Sequence, residues 1–386
     1  MSNSIRFDPI RLPAAAEEVR AEVRQFLRAE IEAGNFNPDG DRWEEGYNEA
    51  FSRKVGERGW IGMTWPKQYG GQERNYLERY VVGEEFLVAR APTSIHFTAD
   101  RQSGPVLLKY APEHIKQDIL PRIIRGECIF CIGMSEPDSG SDLFAAKARA
   151  TKVDGGFHLN GRKVWTSGAH RADYMIGLFR TAPATTENRR HGLTQFLVDM
   201  KAPGISVRPI RFPTGRHGFN EVLFEDVFLE EDRMLGDVDM AWKQATSELA
   251  YERSGPERFL ETIQVLIELV RVLGPEPDLR GAEGIGRLVA QLNTLRRMSI
   301  SVAGMLAAGE EPVLQGSVVK ELGTLWEQAL PAIARDLAAF ADADPSNRLA
   351  FEDVLRRNTL IAPKLTIQGG TTEVLRGIIA RGLGLR

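Results

Sequence analysis

The chain has 386 residues, more than one hydrophobic core normally serves, so two or three packed domains are expected. Its 49 Lys and Arg against 53 Asp and Glu leave a net charge of -4, which gives no general electrostatic case for nucleic acid or an anionic membrane. Any anionic partner has to be met locally.

The first residues, Met1 to Arg6, carry no apolar leader core and no cleavage signal, and no apolar run reaches the roughly 18 residues of a bilayer span. A cytoplasmic protein is expected. Two cysteines, Cys128 and Cys131, have the C-x-x-C spacing that invites a redox or zinc reading. They lie in a run of strand composition, where residues three apart point to opposite faces, and no second ligand pair accompanies them among the six histidines. Buried structural thiols and no metal are expected.

The first third reads as helix. Val19, Val23, Phe26, Leu27 and Ile31 recur at helical spacing amid Glu and Arg, and further helices are predicted from Leu77 to Ala89 and from His114 to Ile124. Gly and Pro punctuate between them, as in Trp65-Pro66-Lys67-Gln68-Tyr69-Gly70-Gly71.

From about Glu127 the texture changes to short β-rich runs: Ala148 to Val153, Phe157 to Asn160, Tyr174 to Arg180, Thr194 to Val198 and Glu221 to Phe228. Asp154-Gly155-Gly156 and Asn160-Gly161 supply the positive-φ positions that tight hairpin turns require, so an antiparallel barrel or sandwich is expected rather than parallel βαβ units.

After Gly236 helical spacing returns. Phe259, Leu260, Ile263, Leu266, Ile267 and Val270 form one apolar stripe, and Val318, Val319, Leu322, Leu325, Trp326, Ala329 and Leu330 form another. The expectation is an α+β protein with a helical domain over 1–126, a β domain over 127–235 and a helical bundle of four-helix type over 236–386.

Three local runs carry chemistry. Met134-Ser135-Glu136-Pro137-Asp138-Ser139-Gly140-Ser141-Asp142 follows a strand and packs small side chains into a loop able to approach a phosphate or a flat ring, although such a loop also serves as a solvated turn. Gly161-Arg162-Lys163-Val164-Trp165-Thr166-Ser167-Gly168 sets an indole beside hydroxyls on a strand, where a tryptophan usually just packs. Gln368-Gly369-Gly370-Thr371-Thr372-Glu373 opens a helix, offering N–H groups to an anion or carbonyl oxygen, or forming an ordinary N-cap at Thr371.

In this order and spacing the three runs closely resemble the flavin-binding signatures of the acyl-CoA dehydrogenase family, and the helical, β and helical thirds extend the likeness over nearly the whole chain. The resemblance implies FAD as cofactor. Met134 and Ser135 would contact the isoalloxazine, Trp165 would lie along it with Thr166 beside, and Ser167 would hydrogen-bond near N5 and O4. Gly140 and Ser141 would reach the phosphates, Ser141 also the substrate, and Gly369, Gly370, Thr371 and Glu373 would close over the other end.

The implied reaction removes a proton from Cα of an acyl-CoA while a hydride leaves Cβ for the flavin, giving a trans-2-enoyl-CoA. Most of the family carry the basic Glu immediately before the C-terminal Gly-Thr; here that position is Gly369. A minority, including the isovaleryl-CoA type, instead use a Glu-Arg pair on a C-terminal-domain helix, and Glu252-Arg253 matches that arrangement. Trp242, Ala245, Leu249 and Glu252 share one apolar stripe, on which a buried carboxylate would have the raised pKa a base needs. Arg253 would point about 100° away. By the residues alone, Glu252-Arg253 reads equally as an exposed pair alongside Glu248, Glu257 and Arg258. Glu373 is the second candidate base. Arg253, Gly369 and Ser141 are the candidate substrate contacts.

Two departures bear on assembly. No Arg-x-x-Phe-Gly run, by which family tetramers reach a neighbouring flavin, occurs between Arg271 and Arg297, and the Gly-Gly-Asn-Gly and Arg-Asp elements that normally precede the last motif are absent. A homo-oligomer or a heterotetramer with a related chain follows, this chain being its catalytic half or partly structural. The implied electron acceptor is an electron-transfer flavoprotein, with acyl-CoA oxidation by O₂ or monooxygenation as alternatives on the same fold.

Overall fold

The computed structural model describes residues 5–39, 46–241, 244 and 253–385. The chain forms two compact units: Met1–Ala29, Tyr76–Arg90 and Leu249–Arg386 make one, Glu30–Asn75 and Ala91–Glu248 the other.

The first unit is helical. It holds most of α1 (Ala14–Glu32), α3 (Tyr76–Val88), α7 (Ile263–Leu273), α8 (Leu279–Ala307), α9 (Val313–Ala338), α10 (Pro345–Leu365) and α11 (Thr372–Gly382). Helix α9 packs against α7, α8, α10 and α11. The bundle core joins Phe259, Leu266, Leu269 and Leu295 to Trp326, Leu330, Phe351 and Val354. Asp278 and Asp344 cap α8 and α10 by accepting backbone N–H groups, which fixes where each helix starts. The first predicted stripe is buried from Phe259 through Leu260, Ile263 and Leu266 with Val270 exposed, whereas the second is only half buried: Val319, Trp326 and Leu330 lie in the core and Leu322 and Leu325 are exposed. Leu325 stands next to Trp326 in sequence, about 100° around the helix, so one stripe covers two faces.

The second unit has short helices, α2 (Glu49–Glu57), α4 (Ser94–Thr98), α5 (Gly104–Tyr110) and α6 (Glu113–Ile124), and one eight-stranded sheet. The strands are β1 (Phe130–Gly133), β2 (Arg149–Val153), β3 (Gly156–Ser167), β4 (Tyr174–Arg180), β5 (Leu193–Asp199), β6 (Ile205–Arg211), β7 (His217–Glu230) and β8 (Met234–Leu235). They run in the order β6-β7-β3-β2-β4-β5-β8, with β1 beside β4. Most pairs are antiparallel as expected, but β1 and β4 run parallel over Phe130↔Tyr174 to Gly133↔Gly177, so the sheet is mixed.

Gly155, with φ +74, turns the β2–β3 hairpin. Asn160-Gly161 does not turn a hairpin. Gly161, at φ +139, lies inside β3 where the register against β7 shifts, and its missing Cβ admits the Ala148 backbone. The core beneath the sheet combines Phe157, Phe179, Phe196 and Phe224 with Cys131 and Met175. Both cysteines are free and buried, and burial pushes Cys128 up to about 12, far from a reactive thiolate. No described helix is long and apolar enough to cross a membrane.

Candidate active site

The loop Met134 to Asp142 is tied to β3 by a buried ion pair. Lys163, wholly buried, places Nζ 2.8 Å from Glu136 Oε1, and Glu136 also accepts the backbone N–H groups of Lys147 at 2.6 Å and Ala148 at 3.0 Å. Val164 N donates to Ser135 O at 2.9 Å, and the loop closes on itself through Glu136 N to Ser139 O at 2.7 Å. Burial pushes the Lys163 ammonium down to about 8, and the Glu136 carboxylate offsets part of that shift. Neither residue stands out in the sequence, since a Lys and a Glu on polar-looking runs usually face water.

The clamp leaves Gly140 and Ser141 exposed, and a Cβ added at Gly140 would meet nothing within 4 Å. Asp142 pairs with Arg189 at 2.6 Å. Met134 is half buried and packs on Ala146, Leu178 and Leu193, while Ser135 is half buried beside it.

Two residues beyond Lys163 the strand bulges. Lys163 pairs with Val222 and Thr166 with Asn220, so two residues of β3 oppose one of β7. Trp165 occupies the bulge at φ +58, a left-handed conformation that costs a bulky side chain roughly 1–2 kcal/mol. The residue is 59% exposed, and its indole meets Phe219 edge-on with ring centroids 6.0 Å apart. Ser167 is exposed as well, whereas Thr166 between them is buried, its Oγ1 without a hydrogen-bond partner. Trp165 and Ser167 thus share a face that Thr166 does not.

Behind the bulge, Asn220 is wholly buried and binds the Thr166 carbonyl, His170 and His217. His170 is exposed as a residue, but partial desolvation of its ring, then the His217 ring and the Arg171 cation, push it down to about 4.

In the helical unit the Gly369-Gly370 turn has φ +71 and +103, conformations that favour glycine. Arg253 and Arg258 are both buried, which removes the reading of these two as surface charges. Arg253 Nε donates to Gly369 O at 3.0 Å, and the fully buried Lys320 Nζ donates to Gly370 O at 2.9 Å. A Cβ at Gly369 would lie 2.9 Å from Arg258 Nη2. The guanidinium therefore takes part of the space that the absent side chain vacates, which the sequence did not anticipate.

Thr371 is an N-cap, its Oγ1 accepting from Val374 N at 3.3 Å. Glu373 is exposed, and its own backbone N–H, then Thr371, hold its carboxyl below the usual carboxylate range. That environment opposes service as a general base near neutrality. Glu252 and the stripe residues Trp242, Ala245 and Leu249 lie outside the described residues.

An exposed indole carried out of the sheet on a strained bulge, a hydroxyl two residues on and a small-residue loop clamped to the same strand suit a flat, hydrogen-bonding ring such as a flavin. The description "Acyl-CoA dehydrogenase, N-terminal domain" matches residues 13–127, and "Acyl-CoA dehydrogenase, middle domain" matches residues 131–227.

Acyl-CoA dehydrogenase IpdE1 of Mycobacterium tuberculosis (strain ATCC 25618 / H37Rv) is 32% identical over 384 residues, covering 96% of this chain and 97% of the relative. FadE34, an acyl-CoA dehydrogenase of the same organism, is 33% identical over 86% of this chain, which spans only 45% of that longer relative. Among solved structures, the Tcur3481-Tcur3483 steroid ACAD superposes with a TM-score of 0.83 at 28% identity, covering 97% of this chain and 98% of that one. The ChsE4-ChsE5 complex from Mycobacterium tuberculosis gives 0.81 at 25% identity, with 99% of each chain covered. Two matched domains and full-length likeness to IpdE1 establish that the chain belongs to the acyl-CoA dehydrogenase family, whose members depend on FAD.

Proposed function

We propose that the chain oxidises an acyl-CoA thioester to the trans-2-enoyl-CoA, with Glu252 as the base. The single observation behind this choice is the Gly369 turn, where the position that most of the family fill with a base carries no side chain and a buried guanidinium. Glu252 takes the proton from Cα, and the electron pair left behind forms the Cα=Cβ bond as hydride departs from Cβ. The bound flavin supplies the hydride acceptor. Met134, Ser135, Trp165, Thr166 and Ser167 would hold the ring; Gly140, Ser141, Gly370, Thr371 and Glu373 would hold the remainder.

Arg253 and Gly369 are proposed to orient the substrate together with Ser141. An electron-transfer flavoprotein is the proposed acceptor; slow reoxidation of the reduced enzyme by air would distinguish it from an oxidase.

The assembly is proposed to contain a second, related chain and the substrate to be a bulky acyl group of the steroid side-chain kind. Both solved structures named above carry paired names, one of them described as a steroid enzyme. Exposed Leu322, Leu325, Ile333 and Leu360 on α9 and α10 supply apolar surface for such an interface. Glu252→Gln is expected to retain flavin and lose its reduction by acyl-CoA; normal single-turnover reduction in that variant would reject Glu252 as the base.

A further inference from the structure

We propose that Asn220 is a positioning residue for the Trp165 to Ser167 segment, that His170 and His217 hold it in place, and that acid releases it. The significance of that segment for cofactor binding rests on the flavin reading above.

The hydrogen bonds around Asn220 allow one assignment. Asn220 Nδ2 lies 3.0 Å from Thr166 O and 3.2 Å from His170 Nδ1, and Asn220 Oδ1 lies 2.8 Å from His217 Nε2. A backbone carbonyl only accepts, so the amide nitrogen must face Thr166. The same nitrogen faces His170 Nδ1, which must then offer its lone pair, and Oδ1 takes the N–H of His217. Asn220 stands directly opposite Thr166 in the β3–β7 register, at the edge of the bulge that carries Trp165. The amide therefore holds the carbonyl immediately after a residue whose backbone is already strained.

A second proton has no place on His170. With its Nδ1 lone pair turned to Asn220, neutral His170 carries its one proton on Nε2, the nitrogen 3.4 Å from Arg171 Nε, so a second proton has to go to Nδ1, where the Asn220 N–H already points. The His170 and His217 rings stack at 4.0 Å, where two imidazolium cations repel. Among the described residues the titratable and charged groups that face His170 are His217, Arg171 and Tyr47; the Arg171 guanidinium lies 4.6 Å over the Tyr47 ring, and burial keeps that phenol neutral.

The sign follows. Neutral His170 is preferred in the folded protein and protonated in the unfolded chain below its ordinary value of 6.5, so the network contributes its full stabilisation above that value. The contribution fades as pH falls from 6.5 toward 4, and Asn220 then loses its His170 acceptor.

The test uses the purified holoenzyme, its apoprotein and two variants. His170→Gln at an exposed position keeps a neutral acceptor and removes the titration; Asn220→Asp replaces the donor that faces Thr166. In the wild type the flavin absorption band is expected to shift reversibly as pH falls through about 4, and the protection of the amides at 164–168, corrected for the pH dependence of intrinsic exchange, to fall between pH 6.5 and 4; His170→Gln is expected to abolish both changes. Asn220→Asp should show the low protection already at neutral pH and a dissociation constant for FAD raised about tenfold, the equivalent of one lost hydrogen bond.

Protection at 164–168 that stays constant across the window in the wild type, or that falls alike in His170→Gln, overturns the proposal even if Asn220→Asp fails to fold. A wild-type protein that takes up no FAD refutes the flavin reading instead, and exchange in the apoprotein still decides the role of Asn220.

Discussion

Lys163 Nζ lies 2.8 Å from Glu136 Oε1 with both side chains out of solvent, and this pair fastens the loop Met134 to Asp142 to the strand that carries Trp165. Glu136 accepts three donors, so its charge is well compensated while Lys163 is present. Removing the lysine leaves a carboxylate buried with two amides only. Lys163→Met is expected to destabilise the apoprotein by about 3–5 kcal/mol in urea unfolding and to weaken FAD binding with it. A loss below about 1 kcal/mol would show that the pair is not a structural clamp.

The difference between what the sequence revealed and what it concealed follows from the range of each interaction. The loop at Met134, the Trp165 strand and the Gly369 turn are contiguous runs whose composition states their conformation. Helix α3 and strand β4 were likewise legible, because apolar spacing is a local signal. Glu136 and Lys163 are 27 residues apart, and Arg253 meets Gly369 across 116; nothing in either segment names its partner.

Asn160-Gly161 reads as a turn in the sequence because a glycine at positive φ serves hairpins and bulges equally, and only the β7 register distinguishes them. Likewise β6 escaped notice because Arg208, Pro209 and Arg211 interrupt its apolar pattern, as suits an edge strand.

Glu327 offers a pH-dependent test in the helical unit. It is buried on α9 and accepts Thr262 N at 3.1 Å, and burial, then the Glu261 carboxylate, push its carboxyl up to about 8. The folded protein therefore retains a proton that the unfolded chain releases above about 4.5. Its contribution to stability is full below that value and declines as pH rises toward 8, beyond which folding requires a buried charge. Glu327→Gln keeps an acceptor for Thr262 and removes the titration. The variant should gain on the wild type as pH rises from 5 to 8, read as a widening difference in Tm; a constant difference across that range would contradict the assignment.

Trp165 separates strain from contact. The residue is 59% exposed and its backbone sits at φ +58, so the fold receives little packing from the indole and bears the cost of the conformation. Trp165→Ala removes the ring and retains a Cβ at that φ; Trp165→Gly removes both. The apoprotein of Trp165→Gly should be more stable than that of Trp165→Ala by about 1 kcal/mol, a reversal of the usual preference against glycine in a strand. Both variants should bind FAD more weakly than the wild type, because the proposed ring contact is gone from each. Equal stability of the two would mean that the bulge relaxes when the indole is removed, and that the ring imposes the strained backbone. Greater stability of Trp165→Gly, with FAD binding equally impaired in both, would locate the strain in the backbone and the cofactor contact in the side chain.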